Sequence, residues 1–282
     1  VYKRQFPDCT EVTLSSSLCE NCGFIIYQPR PEVADIDTKY RYLDELGQDY
    51  GDTISYDEPI EISRSNQILD YVNKNIRLSK INTVLDYGGG DGRLLQAFLE
   101  ENKECFLVDY NQNCIPGVTK LADTIEDLSQ SKKFDLIICN HVMEHVAQPL
   151  QVLKKLVSYL NDRGHIFIEV PMEVWKHPPL SREPVTHINF FTPGNLHNLM
   201  LQSGLNVSKC ELLGSFYQNV KKPAVRAIGQ KLVNASQSSD FPLVRPDAQD
   251  FLQPNIYQKL LYRLLIPGQL PGKVLRKLRI TK

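Results

Sequence analysis

Three groups of residues in this chain have the types and spacing to do chemistry. The first is the run Asp86, Tyr87, Gly88, Gly89, Gly90, Asp91, Gly92. Glycines at 88, 90 and 92 let the backbone pass close under a ligand where any Cβ would collide. The dinucleotide fingerprint G-x-G-x-x-G needs its last glycine at position 93, where Arg93 stands, so the register speaks against NAD or FAD. The second group is histidine-based: His141, Glu144 and His145 spell H-x-x-E-H, and His187 follows in HINFF. Alone, H-x-x-E-H reads as a zinc-peptidase signature, but that chemistry needs both histidines on an established helix, and here the motif starts at the end of an apolar strand-like run. The third group is Cys9, Cys19 and Cys22 with Gly23 behind them. A C-x-x-C-G turn aims two thiolates at one metal ion and is half of a zinc ribbon. Phe6 stands where the fourth ligand would be, so the metal site is incomplete here and zinc is expected only in a longer form of the protein.

The elements that position these groups follow from periodicity. VLDY before the glycines is a strand and a helix begins at Arg93, giving a strand, tight turn and helix. ECFLVDYN ends a second strand at Asp109, about twenty residues past the glycines, where an acid can take both hydroxyls of a ribose. VTKLA reads as a short third strand. FDLIICN, residues 134–140, is nearly all apolar, as a central strand covered on both faces should be. A helix over roughly 143–160 leads into LNDRGHIFIEVP. Thr192 and Pro193 make an N-cap and first turn, Gly204 a stop, and a strand from Val207 to about Phe216 completes the core. Upstream, a helix is expected from about Ile62 to Ile76.

With Asp86 in front, D-x-G-x-G-x-G resembles the cofactor loop of the class I S-adenosylmethionine-dependent methyltransferases. VMEHVAQP and the segment 187–205 are similar to runs found at the same places in that family, and the resemblance covers about residues 60–215. It implies a Rossmann-like, doubly wound, mostly parallel α/β sheet over 81–216. A truncated zinc-knuckle-like segment (1–31) and a helical lid or linker (32–80) precede it, and a C-terminal extension with a helical tail (217–282) follows. The resemblance implies S-adenosylmethionine as cofactor, with Asp86, Gly88, Gly90, Gly92, Asp109, Tyr110 and Asn140 around it. It also places Arg64 of the lid helix against the cofactor carboxylate. The acid expected against adenine is Asp123, although the alignment slips by one onto Thr124, and backbone near Ile125 is the alternative. His187, His145 and His141 would lie at the acceptor end. Histidine titrates near neutral pH, so His187 is the expected base, with a loop-stabilising role as the alternative. CENCGFIIYQPRPE resembles the zinc ribbon that precedes the catalytic domain in methyltransferases of sugar and cell-surface-glycan pathways. A sugar or glycan precursor is therefore the first acceptor class and a small aromatic or quinone-like hydroxyl the second. A cofactor-binding partner subunit without turnover is the rival from another class.

Composition bounds the rest. At 282 residues with a net charge of −1, the chain has room for one α/β core plus extensions and gives no case for nucleic-acid binding. No apolar run reaches membrane-spanning length, and seven mostly isolated cysteines suit reduced thiols, so a cytoplasmic protein is expected. The first residue is Val1, and the chain is read as a piece of a longer protein. Its end is basic and amphipathic, with no acid after Asp250; it suits either an anionic membrane surface or a helix docked with its basic face in solvent.

Overall fold

A computed structural model describes residues 15–36, 38, 58–174, 187–217, 220–232, 243–248 and 250. Cys9, most of the 32–57 part of the linker, and the basic end lie outside them. The strands are β1 (Ser15–Leu18), β2 (Ile25–Gln28), β3 (Thr83–Tyr87), β4 (Glu104–Val108), β5 (Val118–Ala122), β6 (Phe134–Asn140), β7 (Leu160–Pro171), β8 (Asn189–Phe190), β9 (Leu205–Tyr217) and β10 (Val220–Lys231). The helices are α1 (Glu58–Asn75), α2 (Gln96–Glu100), α3 (Pro149–Ser158) and α4 (Pro193–Gln202).

Seven strands form one sheet in the order β5, β4, β3, β6, β7, β10, β9. The first five are parallel to one another, and β10 runs antiparallel to both β7 and β9. The strand β10 falls in the stretch read from sequence as an extension, yet it enters the sheet between β7 and β9. Its signal is masked by Lys221, Lys222 and Pro223, a start that reads as an edge or a turn, before the run Ala224 to Gly229, apolar except for Arg226 and buried throughout, the arginine included.

The two faces of the sheet are covered separately. On one, Ile68, Tyr71 and Val72 of α1 join Leu95 and Phe98 against Val84, Leu107 and Leu136. On the other, Leu153 and Leu156 of α3 and Leu196 and Met200 of α4 pack on Leu85, Ile137 and Ile166. Each such fully buried side chain contributes on the order of 1.5–3 kcal/mol. Helix α1 is thereby a packed layer of the domain. Ser65, wholly buried, pins it beside the glycine turn: its Oγ donates to Leu94 O (2.8 Å) and accepts from Ala97 N–H (2.9 Å). Among the described residues no helix is long and apolar enough to cross a membrane.

A second, antiparallel sheet of β1, β2 and β8 buries Ile25, Tyr27, Ile188 and Phe190. Arg30, just past β2, donates to Ala147 O (2.6 Å) and Asn189 Oδ1 (2.8 Å), so the N-terminal hairpin braces the loop after β6. The same loop shortens the helix expected over 143–160 to Pro149–Ser158. Asn189 Nδ2 donates to Met143 O and Val146 O (both 2.8 Å), holding 143–146 in a turn, and the helix begins where Pro149 supplies a pre-set first residue.

Candidate active site

The parallel strands end on one side of the sheet, and strand order reverses between β3 and β6, the place where open α/β sheets bind ligands. A cavity of about 580 Å³ opens there, a size that suits a small molecule or cofactor. One wall is the turn after β3, reached at Gly88 and Gly90, together with Asp109 and Tyr110; the opposite wall carries His141 and His145.

The glycines of the turn have distinct duties. Gly88, Gly90 and Gly92 all have positive φ (+72°, +63° and +80°), a conformation costly for other residues. A Cβ on Gly89 would lie 2.1 Å from Asp86 Oδ2, so the turn folds tightly over that acid. A Cβ on Gly90 would meet nothing within 4 Å. Gly90 therefore faces open cavity, a cradle that a side chain would fill. Gly92 is buried against Val118 and starts the 3-10 turn Arg93–Leu95, which makes it a packing residue of the loop. Gly90 N–H donates to Asp109 Oδ2 (2.9 Å) and Asn111 N–H to Asp109 Oδ1 (2.8 Å), so Asp109 ties the turn to the end of β4 and presents a fixed carboxylate to the cavity.

Asp86 lies wholly beneath this turn, and both carboxylate oxygens are without a hydrogen-bond partner. Burial first, and then the charge of Asp109, push its pKa up to about 7, while the charge of Arg64 on α1 pulls the other way. Arg64 is half-buried and not among the residues lining the cavity. Both Asp123 and Thr124 line it; Asp123 is paired to Lys120 Nζ at 2.5 Å, and Ile125 is instead buried in the core. Asn140, at the end of β6, is buried with its Oδ1 unpartnered.

At the other wall, His141 adopts φ +57° and its ring bridges two carboxylates, Nδ1 lying 3.2 Å from Glu144 Oε1 and Nε2 3.3 Å from Glu169 Oε1. Burial opposes its charge, but these two hydrogen bonds outweigh burial and raise its pKa to about 9. Glu169 is held at about 2: burial works against ionisation, but the His141 hydrogen bond and the charge of Arg226 overcome it. Arg226 Nε donates to Glu169 Oε2, and Ser215 Oγ donates to Oε1 (2.9 Å). Held between Glu144 and Glu169, His141 is favoured in its charged form, which carries no lone pair to accept a proton.

His187 is brought in by backbone pairing. Ile188 N–H and Asn189 N–H both donate to Glu144 O (2.9 and 3.1 Å), which sets the 187 position beside the 143–145 turn. The His145 and His187 rings meet edge to face at 4.7 Å between centroids, and His187 Nδ1 lies 2.5 Å from Glu173 Oε2. His145 lines the cavity; His187 is not among its lining residues and reaches it through the ring of His145, with its own side chain about one-fifth exposed. Sequence reasoning did not single out Glu169, Arg226 or Glu173. An acid inside FIEVP and an arginine inside PAVRAIG are the signals, since a charge in an otherwise buried strand needs a partner. Cys19 and Cys22 face each other at the β1–β2 turn as free thiols, Cys19 exposed and Cys22 half-buried. Hydrogen bonding, from the Cys22 backbone first, lowers the Cys19 pKa, whereas burial raises that of Cys22.

Residues 61–209, just over half of the chain, match a family model described as a methyltransferase domain. Among curated proteins, the chain is 27% identical over 126 residues to the ubiquinone biosynthesis O-methyltransferase of Rickettsia canadensis, covering 41% of this chain and 53% of that protein. It is 29% identical over 117 residues to the enzyme of the same name from Xylella fastidiosa, covering 36% and 46%. The chain spans about half the length of the curated relatives it matches. In fold it is similar to the 1,6-didemethyltoxoflavin-N1-methyltransferase of Burkholderia thailandensis (TM-score 0.57, 16% identity, 80% of this chain and 98% of that one). The magnesium protoporphyrin IX methyltransferase of Synechocystis is also similar (TM-score 0.51, 12% identity, 70% and 99%). With its sheet order, glycine turn and matched residues together, the chain belongs to the methyltransferase domain family.

Proposed function

We propose that this protein transfers the methyl group of S-adenosylmethionine to a hydroxyl of a small-molecule acceptor. The observation that carries the reading is the two-walled cavity: an open backbone cradle at Gly90 beside the fixed carboxylate of Asp109 on one side, and a histidine and carboxylate cluster on the other. S-adenosylmethionine supplies an electrophilic methyl on a sulfonium. Gly88 and Gly90 would pass under it, Asp109 would accept from the ribose hydroxyls, and Asp123 or Thr124 would flank the base. Displacement at a methyl group is in line, so what the chain supplies is alignment and exclusion of water. His141, bridged between Glu144 and Glu169 on the second wall, would orient the loop. The acceptor hydroxyl would lose its proton beside the group formed by Glu144, His145 and His187.

Two acceptor classes are supported by different observations. The cysteine hairpin resembles that of sugar and glycan methyltransferases, which favours a sugar or glycan precursor. The curated relatives at 27–29% identity carry names that point to a ring hydroxyl of a quinone precursor. The test is transfer of labelled methyl from S-adenosylmethionine to a panel of nucleotide sugars and catechol-type phenols. Turnover with one class names the acceptor. His187→Ala should lower turnover by about 10²- to 10⁴-fold while leaving S-adenosylhomocysteine affinity within a factor of two or so. Cofactor binding without transfer to any acceptor would favour the partner-subunit reading.

A further inference from the structure

Glu144, His145 and His187 each present a ligand atom, and these three atoms lie within 4.8 Å of one another. Glu144 is 1% exposed, and its Oε2 is buried with no hydrogen-bond partner. An ionised carboxylate oxygen left bare inside a protein is expensive, and the usual remedies are a donor or a cation. The nearby donors do not reach it, since His141 Nδ1 and His145 Nε2 both lie nearest Oε1, at 3.2 and 3.8 Å. From these observations we infer that Glu144, His145 and His187 form a binding site for one borderline divalent cation of the zinc, cobalt or iron class.

The donor set fits that class. Two imidazoles and one carboxylate bind such ions at about 2.0–2.2 Å, with open positions left for another ligand. Ligand atoms around such an ion are roughly 3–4 Å apart, so the present spacing closes with a small side-chain movement. The outer shell is in place as well. His187 Nδ1 is held by Glu173 Oε2 at 2.5 Å, which leaves Nε2 as the ligand nitrogen; a carboxylate behind a ligating histidine fixes its tautomer and raises its basicity. The backbone of Glu144 is fixed by Ile188 and Asn189, so the ligands from two distant segments are held in register before any ion arrives. This set differs from the H-x-x-E-H reading of the sequence, because His141 is occupied between Glu144 and Glu169 and takes no part.

The site deepens the proposed function: it rests on that reading for the placement of the acceptor, while its existence is independent of it. His145 lines the cavity, so the open positions of the ion face the acceptor. A hydroxyl bound there loses its proton to water at lower pH than when free, and the oxygen so formed attacks the methyl group. Vicinal hydroxyls, which can take two positions at once, are the acceptor chemistry the site favours.

Cobalt(II) is the probe, because its visible absorption reports the number and type of its ligands. The experiment titrates CoCl₂ into the full chain carrying Cys19→Ser and Cys22→Ser, so that thiolates contribute no band. One equivalent of cobalt with d–d absorption and no sulfur charge transfer is expected, displaced by ZnCl₂. His187→Ala and Glu144→Gln, each checked for folding by circular dichroism, should weaken binding at least tenfold. Failure of the cysteine variant to bind cobalt overturns the site, as does undiminished binding in His187→Ala. S-adenosylhomocysteine titrated into the same samples separates the two readings. If it binds and cobalt does not, the metal site fails and the methyltransferase reading stands; if cobalt binds and it does not, the reverse holds.

Discussion

At the glycine-turn end of the cavity, the contacts come from one continuous stretch of backbone, Asp86 to Gly92, with a single carboxylate from the next strand. At the histidine end, His141, His145, Glu169, His187 and Arg226 arrive from four separated parts of the chain and meet as side chains. Each end buries a strand-end acid, and the two fare oppositely. Asp86 has no hydrogen-bond partner for either oxygen and is pushed up to about 7, whereas Glu169, paired with His141 and Arg226, is held at about 2. Backbone curvature can make a cradle without buried charges, so the turn tolerates a lone acid beneath it. Placing charged side chains under the acceptor requires a counter-charge for each, and the counter-charges come from wherever the fold supplies them.

The largest effect expected at the turn is on binding. Gly90→Val places a branched side chain in the open cradle, at a φ that β-branched residues avoid, and should reduce S-adenosylhomocysteine affinity more than a hundredfold in calorimetry while the chain remains folded. Retained affinity would mean that the ligand does not cross the turn. At the histidine end the corresponding change acts on stability. Glu169→Ala leaves Arg226 and His141 buried without their shared carboxylate and should cost about 3–5 kcal/mol in urea denaturation. A loss below 1 kcal/mol would show that the network is not what holds this wall, and the contrast between the two ends would fail there.

That contrast also explains what was legible in the sequence. The turn, Asp109 and the strand FDLIICN could be read because each is a local pattern: spacing of glycines, an acid after an apolar run, an unbroken apolar segment. Thr192 does cap α4 as read, its Oγ1 accepting from Asn195 N–H at 3.3 Å. The histidine wall could be named but not assembled. His187 lies 42 positions from His145, and the link between them is a pair of backbone hydrogen bonds to Glu144 O that no side-chain pattern announces. The strand β10 was hidden for a similar reason: Pro223 and two lysines mark its start as a turn, and only its fit between β7 and β9 makes it a strand.

Asp109 tests how far the first end depends on its one side chain. Its oxygens already accept from Gly90 and Asn111 N–H groups, so Asp109→Ala removes both a ligand contact and a brace of the turn. S-adenosylhomocysteine affinity should fall by about 2 kcal/mol, roughly thirtyfold, from the lost charge-assisted bonds. Unchanged affinity in calorimetry would take Asp109 out of the site.

The smallest effect concerns the lone acid and is read through pH. With a folded pKa of about 7 against an ordinary value near 3.9, Asp86 binds a proton in the folded state at pH values where the unfolded chain has released it. Its contribution to stability is therefore fully present below about pH 4 and is lost as pH rises through about 7. Asp86→Asn is neutral at every pH and nearly the same shape. Its buried amide carries a cost of its own, but that cost does not vary with pH, so the informative quantity is the change in the gap between variant and wild type. From pH 6 to pH 8 that gap should move by about 1–2 kcal/mol in favour of the variant, a few degrees in Tm. His141 loses its own contribution as pH rises toward 9, but it does so in both proteins and cancels from the comparison. A gap that stays constant over this range would mean that Asp86 does not titrate in it, and that the turn compensates its acid by a means other than holding its proton.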